Sequence, residues 1–481
     1  MVDSAHSDVL VVGAGSAGSV VAERLSIDPA CVVTVVEAGL GPDVPGVSGL
    51  TDNGHILPVG DGSPLVRRYP TTLTDSPARS THLVRGATVG GSGAVNGGYF
   101  CRGVPADFDG WGLPGWAWAD VVEHFRAIET DLDFPDSPAH GDSGPIPVAR
   151  AHEIDASTAA FAEAAARSGF EWLPDLNDGA TPGLPAGVGP VPLNIVGGQR
   201  RGPGAAFLVS AWARQNLSVR TRTFAHRIRV AGGRAVGVEV IGAGGPQLLT
   251  ADRIVLSAGA IGSAHLLMLS GVGEESMLRA AGVPVVLPAP VGTACIDHPE
   301  WVLPTTWTVT PSRPVLEAVL TVGNLEIRPY TGGFIAMVGG STGGEPDWPH
   351  LGVALMKPRS RGRVSLVSRD PAVPPRIDHR YDSVAADVED LRRGSELARE
   401  LASRATTVGD PAWSTSQHLC GTAPMGAAGD ASAVLDAHCR VRGIDGLWVI
   451  DGAALPAIPS RGPHATTVML GHRAAQFVRD G

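Results

Sequence analysis

The chain opens on a short apolar run, Asp8-Val9-Leu10-Val11-Val12, the pattern of a parallel strand buried on both faces. From Ser19 to Ser26 the apolar positions Val20, Val21 and Leu25 recur at helical spacing, and Val32-Val33-Thr34-Val35-Val36 predicts a second strand. Ile254-Val255-Leu256-Ser257 predicts another, running into a small-residue turn and a helix, and Gly446-Leu447-Trp448-Val449-Ile450-Asp451 a last one that closes on an acid. Arg363-Val364-Ser365-Leu366-Val367 alternates as a half-buried strand does. Between Val384 and Leu401, Val388, Leu391, Ala398 and Leu401 recur at helical spacing among charges, which predicts a surface amphipathic helix with a solvated charged face. Arg359, Arg361 and Arg363 read as a wet sheet face rather than an anion patch. No internal repeat, heptad pattern or low-complexity tail is present.

Length and composition narrow the class. At ~150 residues per domain, a chain of 481 residues makes about three domains or two large ones. With 43% hydrophobic and 18% charged residues it is globular, not disordered, and its 63 glycines and 39 prolines follow no collagen period. A net charge of −11 repels a phosphate backbone, so nucleic acid is not an expected partner. The five cysteines are odd in number and scattered without a C-x-x-C pair, which disfavours a disulfide framework or zinc site and fits a reducing compartment. No secretory signal precedes Asp8, and no stretch reaches the ~18 to 20 apolar residues of a membrane span. The expectation is a soluble, cytoplasmic protein without a transmembrane segment, with peripheral membrane association left open.

Chemistry enters at the first turn. Gly13-Ala14-Gly15-Ser16-Ala17-Gly18 is a G-x-G-x-x-G sequence, and Glu37 follows nineteen residues after Gly18. Gly13 permits the tight turn, Gly15 lets a pyrophosphate approach the backbone, and Gly18 allows close helix–strand packing. The helix N-terminus offers free N–H groups to phosphate, and Glu37 is placed to accept ribose hydroxyls. Such a turn alone is a weak signal, but strand, turn, helix, strand and acid occur here in order. A dinucleotide is indicated; the motif does not choose between FAD and NAD.

Further along, His82 to Arg102 reads HLVRGATVGGSGAVNGGYFCR, too polar and flexible for core. Taken alone it is a surface loop, yet Gly90, Gly91, Ser92 and Asn96 at this density suggest backbone pressed against a ligand. Together with GAGSAG and Glu37, the segments GGSGAVNG, SAGAIGSAHLLMLSGVG (257 to 273), HLCGTAPMG (418 to 426) and GLWVIDGAALPAIPSRGPHATTVMLGHRAA (446 to 475) resemble the glucose–methanol–choline (GMC) family of flavoprotein oxidoreductases. Smaller echoes are HGDSGPIPV (140 to 148), RRGPGAAFL (200 to 208), VGTACIDHP (291 to 299) and SRGRVSLVSRDP (360 to 371), so the likeness runs the length of the chain in the family's order.

The resemblance implies an α/β chain (α+β overall): a Rossmann-like FAD-binding domain of GMC type and a second, substrate domain built on an antiparallel sheet plus helices. The flavin segments interleave, giving FAD-binding portions at 1–150, 195–295 and 418–481, a connecting segment at 151–194, and a substrate-binding domain at 296–417 that roofs the flavin. Contacts to the cofactor are implied for Gly13, Gly15, Ser16, Ala17, Gly18, Glu37, Ala38, Arg85, Gly90, Gly91, Ser92, Asn96, Gly97, Ala258 and Gly259. Asp451 and Gly452 would lie by the ribityl and phosphate portion, Thr467 near the ring, and Ala225 against the adenine. The family loop usually reads G-G-S-S-x-I-N, whereas this chain has Gly93 in place of the second Ser, and Ala87 where a polar or basic residue is common. Members that attach FAD covalently carry a His before the loop Asn; Val95 stands there, which implies non-covalent FAD.

Of fifteen histidines, His6, His55, His82, His140 and His152 lie in polar stretches and read as solvated, and no His spacing suggests a metal site. His418 and His464 correspond to the family's active-site pair. Oxidising an alcohol requires removal of the hydroxyl proton and of a hydride, which passes to flavin N5. An imidazole, with an ordinary pKa of ~6.5, suits the proton, and a second donor steadies the developing oxyanion. His418 is read as base and His464 as partner, with the roles open to exchange. The opening HSDVLVVGAGSAGSVVAERL and the loop RGATVGGSGAVNGGYFCRG are similar to the GMC dehydrogenases of the actinobacterial mycofactocin system. That likeness implies a mycofactocinol-type carrier, or another small-molecule alcohol, as substrate and a respiratory-chain electron acceptor. An oxygen-using alcohol oxidase and a lyase with non-redox FAD are the alternatives.

Overall fold

The computed structural model describes residues 6–308, 310, 312–339, 347–402 and 406–481. The first apolar run forms the strand His6–Val12, longer at its start than the pattern predicts, and it is the middle of a seven-stranded sheet. On one side it pairs in parallel with Val33–Val36, which pairs in turn with Leu217–Arg220. On the other lies the long strand Gly245–Leu256. The last three residues of that strand take Leu447–Val449 in parallel, while its first half turns antiparallel against Arg234–Gly242 and then Phe224–Ala231. Valine-rich strands suit this burial because β-branched side chains fill a sheet covered on both faces.

Pairing aligns Val12 with Val36 and with Leu256, and Leu256 with Val449. Four strand ends therefore finish on one rim, where ligands of open α/β sheets bind. The helix after the first strand runs Ser16–Leu25, starting three residues before the apolar stripe. Its close approach to the sheet requires Gly18: a Cβ there would stand 2.0 Å from the Gly13 carbonyl oxygen. Gly13 itself turns through φ +101, open to glycine alone at this cost.

A second, six-stranded sheet is antiparallel throughout, in the order Ala412–Thr415, Pro299–Pro304, Pro349–Leu355, Leu325–Gly333, Ala318–Val322, Gly187–Pro190. Helices Ala156–Arg167 and Ala385–Ala402 bury Phe161, Leu391, Ala398 and Leu401 against it. Segment 151–194 thus supplies a helix and an edge strand to this sheet as well as linking the halves. The helix predicted from Val384 to Leu401 is present, its outer face carrying the exposed Arg392–Glu389 and Arg392–Glu396 pairs. Arg363–Ser365 and Arg376–Asp378 join Val66–Asp75 and Ala78–Gly86 in a four-stranded sheet.

The stretch from His82 begins inside the strand Ala78–Gly86, and Gly90, Gly91, Gly93, Ala94 and Val95 are buried. Small residues let its backbone pack where side chains would not fit. One expectation is corrected: His140 is not solvated. It is buried between Glu129, Asp131 and Asp175, with Arg150 bridging Asp131 and Asp175 and Arg102 pairing Glu129. Burial opposes charge on its ring, but hydrogen bonds to Asp131, Asp175 and Glu129 outweigh it and push the imidazole up to about 10. These three acids and a histidine read as a closed ionic cluster, because two guanidiniums and an imidazolium already balance them. Arg359 and Arg363 also find acids, at Asp387 with Asp390 and at Glu274. Among the described residues no helix is long and apolar enough to cross a membrane.

Candidate active site

A cavity of about 770 Å³ opens at the rim where the parallel strands end, and runs beneath the second sheet. Three helix N-termini face it: Gly15 to Ala17, Ala258 to Gly262, and Pro463 to Thr467. No side chain caps the helix after Gly15, so its first N–H groups remain available to an anion. Glu37 sits at the end of its strand, accepting from Ala14 N–H at 2.9 Å and Gly39 N–H at 2.8 Å. Burial pushes its carboxyl up against those two donors. Asp451 accepts from Gly259 N–H (2.9 Å), Ser263 Oγ (2.6 Å) and Ala453 N–H (2.7 Å), which ties the last strand to the second helix start. Burial raises it to about 6.

Of the residues singled out in the sequence, Gly13, Gly15, Ser16, Ala17, Glu37, Ala38, Arg85, Gly91, Ser92, Asn96, Gly97, Ala225, Ala258, Gly259, Asp451, Gly452, Thr467, His418 and His464 all line this one cavity. Gly18 and Gly90 stand behind its wall. Gly18 permits helix packing, and Gly90 (φ +92) turns the loop so that its N–H reaches the Ala14 carbonyl at 2.7 Å. Phe224 and Ala225 lie near Arg67, whose guanidinium sits 5.4 Å from the Phe224 ring centroid.

His418 and His464 come from opposite ends of a 46-residue stretch. His464 is the first residue of the helix His464–Asp480, edge-on to Phe100 at 5.4 Å. Burial and then the nearby Arg200 guanidinium lower it to about 4. His418 lies past the strand Ala412–Thr415, and Asp297 Oδ1 accepts its backbone N–H at 2.7 Å. Its Nδ1 meets His298 Nδ1 at 2.9 Å, the rings being perpendicular at 87°. Burial, then His298, Arg328, Arg85 and His464, hold His418 well below the usual imidazole range. Both rings are therefore neutral at pH 7, the form in which one nitrogen accepts and the other donates.

Sequence reasoning missed the polar wall behind these rings. Arg328 donates to Glu326 and Glu300 at 2.9 Å each; Glu326 also accepts from Tyr99 (2.7 Å) and Arg461 (2.6 Å), and Glu300 from Tyr330 (2.8 Å) and Ser416 (2.6 Å). Tyr99, Arg328, Tyr330 and Ser416 reach the cavity surface beside Val315, Leu316 and Phe334. Two guanidiniums and two carboxylates balance, so the wall is rigid and carries no net charge.

The buried neutral histidines make the fold acid-labile. An imidazole at about 4 in the fold and ~6.5 in the unfolded chain binds its proton preferentially when unfolded between those values. That stability is complete above pH ~6.5 and is lost as pH falls towards 4. His298, fully buried and lowered by burial to about 4, carries on the order of 3 kcal/mol by this linkage. His265 and His464 shift in the same direction. The expected result is a thermal midpoint that falls steadily from pH 7 to pH 5 in differential scanning fluorimetry; a flat profile would contradict it.

The residues present fit a dinucleotide. The Gly13–Gly18 cradle, the helix starts at Gly15 and Pro463, which no side chain caps, and Glu37 suit pyrophosphate and ribose, and Arg85 and His464, which line the cavity, each keep a buried nitrogen (Nη2 and Nε2) without a hydrogen-bond partner among the described residues. Comparisons with known proteins agree. Sequence models of the family described as GMC oxidoreductase match residues 7–300 and, for its C-terminal part, 358–471. An uncharacterised GMC-type oxidoreductase of Rhodococcus erythropolis is 40% identical, covering 99% of both chains. The oxygen-dependent choline dehydrogenase of Klebsiella pneumoniae is 31% identical over 98% of this chain and 96% of its own. Among solved structures, pyridoxine 4-oxidase from Mesorbium loti superposes with a TM-score of 0.87 at 29% identity, covering 98% of this chain and 99% of its own. The chain belongs to the GMC oxidoreductase family: it is an oxidoreductase of CH–OH donors, with FAD bound non-covalently as its cofactor.

Proposed function

We propose that His418 is the general base and His464 the oxyanion partner of a dehydrogenase. Its substrate is the hydroxyl form of a mycofactocinol-type carrier, and its electrons go to a respiratory-chain acceptor. The observation that carries the catalytic assignment is the convergence of both neutral rings on one cavity wall beside the cofactor loops. FAD supplies the hydride acceptor when bound. His418 accepts the hydroxyl proton at Nε2, which has no protein partner among the described residues, while His464 donates to the same oxygen. Phe100 packs edge-on against the His464 ring, and the His298 Nδ1 contact holds the His418 ring against rotation.

The wall chemistry bears on the substrate. A quaternary ammonium is recognised by aromatic faces and an unpaired carboxylate. Behind this wall Glu300 and Glu326 are already closed by Arg328 and Arg461, which favours an uncharged, ring-bearing alcohol among Tyr99, Tyr330 and Phe334. Anaerobic titration followed at the flavin absorption band tests the reading. The reduced carrier is expected to bleach the flavin faster than choline or short alcohols do, and faster bleaching by choline overturns it. The end-to-end likeness to pyridoxine 4-oxidase favours a second reading, an oxygen-using oxidase. An oxygen electrode separates the two, since stoichiometric peroxide per turnover belongs to the oxidase alone. A cytoplasmic location with peripheral membrane contact belongs to the dehydrogenase reading, and co-sedimentation with inner-membrane vesicles would test it.

A further inference from the structure

We infer that His298 is a positioning residue that fixes the protonation pattern of His418, holding its proton on Nδ1 and leaving Nε2 bare towards the cavity. This rests on the reading of His418 as base and assigns the division of labour between the two active-site rings. The two Nδ1 atoms are 2.9 Å apart with no other polar side chain between them, so one proton must lie in that contact. Two patterns satisfy it. If His298 donates, the proton of neutral His418 sits on Nε2 and the ring can only give a hydrogen bond to an alcohol. If His418 donates, Nε2 carries the lone pair that a base needs.

The surroundings select the second pattern. His298 is 0% exposed and burial keeps it neutral, so it has one proton to place. The Met356 carbonyl favours that proton on the far nitrogen, Nε2, although it closes no full hydrogen bond there. A proton on Nε2 leaves His298 Nδ1 as an acceptor. The adjacent acid cannot compete for the ring. Asp297 Oδ1 is occupied by the backbone N–H groups of His298 (2.8 Å) and His418 (2.7 Å). Its Oδ2 holds the Tyr381 and Thr415 hydroxyls at 2.8 and 2.7 Å. Asp297 therefore sets where both rings sit, and His298 sets which nitrogen of His418 is free. This is the service that a carboxylate renders to a catalytic histidine elsewhere, performed by a neutral group. A neutral acceptor leaves His418 uncharged in the buried site, whereas a carboxylate would raise its pKa.

The test compares His298→Leu with His298→Gln, whose amide oxygen still accepts from His418 Nδ1. Stopped-flow reduction of the purified, FAD-loaded enzyme by a substrate alcohol is read as the limiting rate and the apparent substrate Kd. His298→Leu is expected to lower the limiting rate by ~10² with Kd and FAD content unchanged, and His298→Gln to recover most of that loss. A His298→Leu rate within threefold of wild type overturns the inference, as does an equal loss in both variants. His418→Ala run in parallel separates the levels: if it too is near normal, the assignment of His418 as base fails; if it alone is slow, only the role of His298 fails.

Discussion

His418→Ala should slow anaerobic flavin reduction by ~10² or more, the contribution of a positioned general base. Binding should survive. The cofactor cradle is built from glycine backbone and helix starts, and Asp297 holds position 418 through its main-chain N–H, which alanine keeps. The loss should therefore appear in the limiting rate, with FAD content and substrate Kd close to wild type. The pH profile gives an independent reading. A base must be unprotonated to act, and His418 is held well below the usual imidazole range by burial and its cationic neighbours. Wild-type reduction should thus stay fast as pH falls through 6.5 and decline only in more acid solution, and that acid limb should vanish in His418→Ala. A near-normal reductive half-reaction in the variant would remove His418 from the mechanism.

Gly15→Val should give a folded, colourless protein. A Cβ at Gly15 meets only the Ser257 carbonyl oxygen, at 3.5 Å, an ordinary contact, and φ is −72, so the chain tolerates a side chain there. What it does not tolerate is an obstruction at the cavity wall, where the uncapped helix start faces the site of the pyrophosphate. Gly18→Val is the contrast, since its Cβ would collide with the Gly13 carbonyl and displace the helix from the sheet. Absorbance at 450 nm against a melting curve distinguishes them. Gly15→Val should lose the flavin band but keep a cooperative transition, and Gly18→Val should lose both. A yellow Gly15→Val protein with full FAD content would contradict this placement of the dinucleotide.

The parts that were readable in the sequence are those whose physics is local. Gly13 to Gly18 and Glu37 announce a turn, a helix start and an acceptor within 25 residues, and the structure assembles them on one rim. His418 and His464 were reached only through the family likeness, because nothing near either one marks it as different from a surface histidine. His140 misled because its neighbours in sequence are polar; its burial comes from acids 9, 11 and 35 residues away that only the fold brings together. Arg328 and Glu326 alternate with apolar residues along one strand, a pattern that looks like a solvated face until Tyr99 and Arg461 close over it. His298 did carry a signal, since the Asp-His-Pro of 297 to 299 lies in a segment matched to the family, but its significance is the ring it touches 120 positions later.

Arg461 belongs to the chain that leads into the helix of His464, yet its guanidinium is anchored on Glu326 and Thr321 in the other sheet. Severing that anchor would strand a carboxylate and a cation away from water, so neither half can loosen without the other. Heating should accordingly produce a single calorimetric transition whose van't Hoff and measured enthalpies coincide, despite a size at which separate melting of halves is common. Fragments cut between the sheets should be insoluble in isolation, and attempts to graft a new roof onto this nucleotide-binding base would need to carry residue 326 along with it.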